Sequence, residues 1–418
     1  MRAGVISQQT RTSGLRAHKP NFTLIVTILV LVMIGLVAIA SASSVISHDQ
    51  FGDNLAMLKN QLINGVAVGL VFFIIMALVP YKFWRRVNLI LLIATLLLLI
   101  AVFIPGVGIN FGGANRWINL GVTSFQPSEL AKLTMVIFFA AWLDKRGKGI
   151  KEFATGVVPF LAILGLVIGL ILAQPDLGTL TVIAVTAIAM FYVAGARLWH
   201  LFVMFLAAIG FLGVAIKLEP YRLARFTVFL NPAHDPQGLG YQITQSLLAV
   251  GSGGLFGLGL GQSRQKYNYL PEPAGDSIFA VMSEELGFLR ILIVVALFLL
   301  LGFQGYQVAR RSPDNFAKLL AVGITTWFVA QAFINMGALI GVLPLTGIPL
   351  PFISFGGTAL AVSLAAAGIL VNVSRYTIPK RSRSLTRTGF RREPISMQDR
   401  AAAGSTDQAG SAAEGAQA

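Results

Sequence analysis

Residues 22–46 read FTLIVTILVLVMIGLVAIASASSVI and contain no charged side chain. A bilayer core of about 30 Å is crossed by roughly 20 apolar residues in a helix, so this stretch is long enough to span. It is also too long for a cleaved signal peptide, and no small-residue cleavage motif leads from it into a soluble domain. The same ruler places further spans near 62–80, 88–104, 128–143, 154–173, 177–195, 199–218, 277–302, 316–340 and 353–374. The fold expected is all-α, a polytopic membrane helical bundle of about ten transmembrane helices.

Composition agrees. Of 418 residues, 56% are hydrophobic and 12% charged, too little charge to solvate the surface of a soluble domain of this size. A net charge of +15 would suit nucleic acid, but the cations lie in short clusters between apolar runs and in the C-terminal stretch, as orientation determinants do, so no nucleic acid is expected. Without cysteine there is no disulfide, thiolate metal site or cysteine nucleophile.

Lysine and arginine in the connections test the span map independently. Arg2, Arg11, Arg16 and Lys19 precede the first span; Lys82, Arg85 and Arg86, then Lys145, Arg146, Lys148 and Lys151, then Arg197, then Arg310, Arg311 and Lys318 all alternate to one side. Arg375, Lys380, Arg381, Arg383, Arg387, Arg391 and Arg392 join them, so both termini are cytoplasmic. The division expected is a cytoplasmic segment 1–21, a transmembrane domain 22–376 with a long extracytoplasmic loop 219–276, and a basic, disordered cytoplasmic tail 377–418. Tyr81, Phe83, Trp84, Trp142 and Trp199 suit the headgroup belt. Cations on the wrong side are few: Arg116, and Arg222, Arg225, Arg264 and Lys266 in the long loop. Topology does not require them, so they carry information.

Several strings could carry chemistry. Gly251-Ser-Gly-Gly-Leu-Phe-Gly-Leu-Gly-Leu-Gly261 is rich in glycine, but no βαβ unit surrounds it, so it suits close backbone packing and not nucleotide binding. Arg264 and Lys266 follow and are able to meet an anion. Tyr269-Leu-Pro-Glu-Pro-Ala-Gly-Asp276 puts a carboxylate at the start of the eighth span, where the macrodipole favours its ionised form. That aspartate is either an N-cap for Ile278 or Phe279, or a general base facing the polar loop. Glu284 and Glu285 are costly at membrane depth unless paired. Pointing about 100° apart on a helix, they are not expected to serve one site, and Arg290 is a candidate partner. Glu129 and Lys132 share a helix face, as a salt bridge or a substrate contact. Arg116 beside Trp117 could grip phosphate with its planar fork or lie among headgroups. Asp176 reads as the cap of a tight outer hairpin, and Asn335 and Met336 as close-packing residues. An outer face with guanidinium and ammonium groups, a placed carboxylate and access from lipid suits a lipid-linked anion.

These residues resemble the shape, elongation, division and sporulation family of bacterial membrane proteins, FtsW and RodA. The resemblance is carried by Asn115-Arg-Trp-Ile-Asn-Leu-Gly121, Gln126-Pro-Ser-Glu-Leu-Ala-Lys132, Gln174-Pro-Asp-Leu-Gly-Thr179, Arg225-Phe through Asn231-Pro, Asp235-Pro through Gly240-Tyr-Gln242, Gly259-Leu-Gly-Gln-Ser263, Leu270-Pro-Glu272, Asp276, Glu284-Glu-Leu-Gly287, Leu350-Pro-Phe352 and Gly356-Gly357. It covers 22–376, and the Gln-Ser-Arg-Gln-Lys run and Asn372-Val-Ser-Arg-Tyr376 look more like FtsW than RodA. It implies an inverting peptidoglycan glycosyltransferase that polymerises lipid II outside the cytoplasmic membrane during division, at the septum. A class B penicillin-binding transpeptidase and other divisome membrane proteins are its implied partners, besides membrane lipid.

The family's catalytic aspartate carries over to Asp276, which would deprotonate the attacking sugar hydroxyl, and its patterns place Arg116, Glu129 and Lys132 at the substrate cavity. Arg264 and Lys266, or a divalent cation such as magnesium or manganese, are candidates to neutralise the departing pyrophosphate; no protein metal ligands are identified. The chain departs from the family where His-Thr-Asp-Phe is usual, having Ala274-Gly-Asp-Ser277, and where Arg290 replaces a glycine. The rival readings are a lipid II flippase and a non-enzymatic divisome scaffold.

Overall fold

The computed structural model describes residues 17–378 apart from loop positions 112–113, 120, 122–123, 219, 233–234 and 236. The expected tail therefore lies outside the described residues beyond Ile378, as do Arg2, Arg11 and Arg16.

Ten helical segments follow the ten expected spans: α1 (Phe22–Ala42), a segment over 56–78 that ends in α4 (Val68–Leu78), α5 (Lys82–Ala101), α6 (Pro127–Arg146), α7 (Val158–Ala173), α8 (Leu177–Val193), α9 (Leu198–Leu218), α12 (Ile278–Arg310), α13 (Asn315–Leu339) and α14 (Gly357–Ser374). Among the described residues seven are long and apolar enough to cross a membrane, judged by length and composition. The termini of these helices are set by local chemistry. The Asn21 side chain accepts from Leu24 N (3.2 Å) to cap α1, Asp314 accepts from Ala317 N (2.8 Å) to cap α13, and Pro127 opens α6, where no backbone donor is needed.

Three expectations change. The first span was drawn to residue 46, but its helix ends at Ala42 and a separate α2 (Ser44–Phe51) follows, with α3 (Ala56–Asn60) opening the second span. The long loop contains α10 (Pro220–Leu230) and α11 (Leu239–Ser252). The connection between α5 and α6 forms a small antiparallel sheet, β1 (Gly108–Phe111), β2 (Ala114–Asn119) and β3 (Ser124–Phe125), in the order β1-β2-β3.

The centre of the bundle is α13 and α14, buried over most of their length; α13 packs on α6, α8 and α12, and α14 on α4. Small residues let α14 and α4 approach: a Cβ on Gly368 would lie 2.4 Å from the Phe73 carbonyl oxygen. The helices near the outside, such as α1 and α5, show lipid a row of large apolar side chains.

Candidate active site

The turn before α12 aims Asp276. Glu272, held at φ 47°, turns the chain so that its carbonyl accepts from Gly275 N (3.0 Å) and Ser277 N (3.3 Å). The N-cap of α12 is Ser277, whose side chain makes no capping bond, and the Ser277 hydroxyl donates a long bond (3.4 Å) to the Asp276 carboxylate. It caps no helix N–H among the bonds described. Instead it lies beside a backbone turn: a Cβ on Gly347 would stand 3.5 Å from Asp276 Oδ2 and 3.9 Å from an Arg225 guanidinium nitrogen. Gly347 sits at φ +65°, a conformation that keeps this wall bare. Burial, and then the Glu272 carboxylate, push the Asp276 carboxyl up to about 6, against the pull of Arg225 and the Ser277 hydroxyl. The expected preference for the ionised form from the helix dipole is thus outweighed by desolvation.

Two side chains one turn apart on α13 hold the opposite wall. Asn335 Nδ2 donates to the carbonyls of Asp276 (2.7 Å) and Ile348 (2.8 Å), tying the acid's backbone to the Gly347 turn. Gln331 Nε2 donates to Pro349 O (2.7 Å), while its Oε1 accepts from Lys132 Nζ (2.9 Å) and Trp327 Nε1 (2.7 Å). Lys132 also pairs with Glu129 at 2.8 Å, both side chains 2% exposed. Arg225 completes the frame by donating from Nη1 to Leu345 O (2.9 Å), and Gln242 from α11 donates to the Ser277 hydroxyl (3.2 Å). The expected Glu129–Lys132 bridge is therefore joined through Gln331 to the wall that faces Asp276.

The α12 helix is broken at Gly287 (φ 76°, ψ 174°), and the glycine-rich run supplies what the break removes. Leu258 N and Gly259 N donate to Glu284 O and Glu285 O (both 3.0 Å), while Phe288 N and Leu289 N donate to Gly254 O (2.9 Å) and Leu255 O (3.1 Å). Interrupted backbone at membrane depth is tolerated where protein re-satisfies it in this way. Glu284 and Glu285 then serve one place after all. Glu284 accepts from the Ser263 hydroxyl and from Arg264 N (3.1 Å); Glu285 accepts from Ser41 Oγ (2.6 Å) and pairs with Lys266 Nζ (3.2 Å). Two adjacent carboxylates reach one loop because that loop wraps the break. Arg290 takes no part, donating to Phe256 O (2.9 Å).

The remaining expected site residues divide. Lys266 is 3% exposed and committed to Glu285, Gly261 O and Ser41. Arg264 is exposed, with only its backbone tied. Arg116 donates from Nε to Gln174 O (2.9 Å) and from Nη2 to Pro175 O, gripping the hairpin whose Asp176 caps α8 through Thr179 N (3.0 Å). Among the described residues no three His, Cys, Asp or Glu side chains are grouped as a metal cluster; the acids that influence each other here are Asp276 and Glu272. Sequence reasoning missed Gln331 and Gly347 as parts of the site and gave Arg225 no role in it. Arg225 had a signal, being a cation on the side where topology needs none.

Comparison with known proteins follows the same lines. Residues 22–378 match the family model described as cell cycle protein, built on FtsW, RodA and SpoVE. Stage V sporulation protein E of Bacillus subtilis (strain 168) is 45% identical over 360 residues, covering 86% of this chain and 98% of that protein. The probable peptidoglycan glycosyltransferase FtsW of Trichlorobacter lovleyi is 39% identical over 359 residues, 86% and 94% of the two chains. Among solved structures, a chain of a peptidoglycan synthase complex that coordinates polymerization and crosslinking aligns with TM-score 0.72 at 28% identity, over 85% of this chain and 98% of its own. The rod shape determining protein RodA of Thermus thermophilus aligns with TM-score 0.63 at 25% identity, over 86% and 98%.

Proposed function

This chain belongs to the cell cycle protein family of FtsW, RodA and SpoVE, and from that premise we propose that it polymerises lipid II into glycan on the outer face of the cytoplasmic membrane, with Asp276 as general base. The observation that carries the reading is the orientation of Asp276. Among the described bonds its carboxylate caps nothing in α12, and it stands with the Arg225 guanidinium beside the bare face of Gly347.

The chemistry suits those groups. The attacking sugar hydroxyl gives its proton to the Asp276 carboxylate as its oxygen forms a bond to the anomeric carbon of a second lipid-linked sugar. The bond from that carbon to pyrophosphate breaks with inversion, and the electron pair leaves with the polyprenyl pyrophosphate. A carboxyl near pH 6 is a competent base at neutral pH, and a positioned base contributes roughly 10²–10⁴-fold. Arg225 and the exposed Arg264 are the guanidinium groups suited to the departing diphosphate. Lys132, Gln331 and Asn335 act on the reaction by holding the 347–349 turn in place.

The buried charged side chains support polymerisation over transport. Glu129 and Lys132 lie in the first two turns of α6, and Glu284 and Glu285, with Lys266 against them, lie within about two turns of the start of α12, so these charges gather in the outer half of the bundle. The likeness to a chain that works in a polymerising and crosslinking complex favours a class B penicillin-binding transpeptidase as partner, and the FtsW relatives favour division at the septum. The test is polymerisation of labelled lipid II by the purified chain with that transpeptidase, intact or carrying Asp276→Asn. Glycan from the first and none from the folded second is the expected result; equal product from both removes Asp276 from its role.

A further inference from the structure

At the cytoplasmic face the ends of three helices are stitched together around an open cavity that the glycan chemistry does not use. His18 N donates to Arg375 O (2.8 Å), Asn21 N to Ser374 Oγ (3.1 Å), and Asn372 Nδ2 and Arg375 Nη1 both donate to Ala77 O (2.7 and 3.2 Å). The starts of α1 and the ends of α4 and α14 are thereby fixed relative to one another. Between them lies a cavity of about 500 Å³. Its rim carries Lys19, Arg375 and His18, its walls include Ile25, Phe73 and Ala77, and among the described residues no carboxylate lines it.

We propose that this cavity binds an anionic phospholipid of the inner leaflet. The cations Lys19 and Arg375 lie just outside the ends of α1 and α14, and the apolar lining, Ile25, Phe73 and Val371, lies on the helices themselves, an arrangement that accepts a phosphate and an acyl chain together. Basic pockets between transmembrane helices on the cytoplasmic side bind anionic headgroups in this manner. Arg375 uses one guanidinium nitrogen on Ala77 O, which leaves donors of its fork for a phosphate. Lys19 is exposed at the rim. A small inorganic anion would meet the cations but leave the apolar wall uncovered. The bound lipid would staple α1, α4 and α14 from below, and α14 is part of the bundle's centre.

The test is native mass spectrometry of the full-length protein from micelles doped with phosphatidylglycerol or phosphatidylcholine, with unfolding temperature measured alongside. We expect retained phosphatidylglycerol and a higher unfolding temperature than with phosphatidylcholine. Lys19→Gln should weaken that binding about five-fold and Lys19→Gln with Arg375→Gln about 25-fold, from roughly 1 kcal/mol per surface cation. Ala77→Phe, which keeps the cations but fills the wall, should also lose the lipid, and Lys82→Gln with Arg86→Gln elsewhere on the same face should not. Inorganic phosphate should leave the bound lipid in place. Binding within two-fold of the parent in the Lys19 and Arg375 variants overturns the proposal. So does equal loss in the Lys82 and Arg86 control, which would mean diffuse attraction to the basic face, and so does displacement by phosphate.

Discussion

Replacing Asp276 should make the protein more stable while stopping the reaction. Its carboxyl is raised to about 6 from 3.8, chiefly by burial. A carboxyl raised in the folded state favours folding when protonated, so its contribution is fully present below pH 3.8 and is lost as pH climbs through 6. Above that range the ionised form is held at a cost of about 3 kcal/mol, being about two pKa steps of 1.36 kcal/mol each. Asp276→Asn removes that charge, and Asp276→Ala removes it together with any hydrogen bond. Since the carboxylate caps no helix N–H, both variants should unfold later than the parent at pH 8, by up to about 3 kcal/mol, and the gain should vanish near pH 4. Thermal or denaturant unfolding of the purified chain at the two pH values measures it, with polymerisation assayed in parallel. Asp276→Ala unfolding earlier than the parent at pH 8, by the ~0.5–2 kcal/mol of a lost cap, would refute the reasoning and return the aspartate to an N-cap.

Other outcomes follow from the same geometry. Polymerisation kcat/KM should fall as pH drops through about 6; Glu272→Gln should move that midpoint down and Arg225→Gln should move it up, so shifts of the same sign in the pH–rate profiles would contradict the arrangement. Lys132→Met leaves Glu129 buried without its cation and should cost about 3–5 kcal/mol in unfolding, whereas the double variant with Glu129→Gln should recover most of it. Gly347→Val places a side chain 3.5 Å from the Asp276 oxygen at a left-handed φ, and should cost about 1–3 kcal/mol of stability while lowering kcat far more than that strain explains. Gly287→Ala should destabilise more than Gly347→Val, because its Cβ would stand 2.1 Å from Gly257 N where the backbone of two segments is in contact.

The helical architecture was legible because lipid imposes two strong rules, apolar length and cation sidedness, and each is written residue by residue in the chain. The same rules found part of the site by exception. Arg116, Arg225, Arg264 and Lys266 stand out as outer cations, and the structure gives them different tasks: hairpin grip, neighbour of the acid, exposed cation and buried ion pair. What sequence could not give was the backbone's share. Nothing in Leu345-Thr-Gly-Ile-Pro349 says that its carbonyls are the groups Arg225, Asn335 and Gln331 bind, because backbone acceptors are the same at every residue. The reading of Glu284 and Glu285 failed for a related reason. A 100° separation on a straight helix forbids a shared target only if the target is small, and here it is a loop that wraps a break invisible in a Glu-Glu-Leu-Gly string.

That break explains how a half-buried acid can be placed with care. Asp276 immediately precedes a half-helix of about nine residues, from Ile278 to Leu286, which is too short to hold its own direction against the rest of the bundle. Its direction is set at both ends by other elements. At the inner end, the 254–259 backbone replaces the missing helix bonds and Lys266 neutralises Glu285. At the outer end, Asn335 holds the Asp276 carbonyl and Phe355 N donates to Ala274 O (2.8 Å). The fixed points lie on α13, the 345–356 turn and the glycine run, none of which bears the acid. It follows that substitutions far from Asp276 in sequence, at Gly257, Lys266 or Asn335, should disturb its orientation more than changes at its neighbours Ala274 and Gly275, where this chain already differs from the family string.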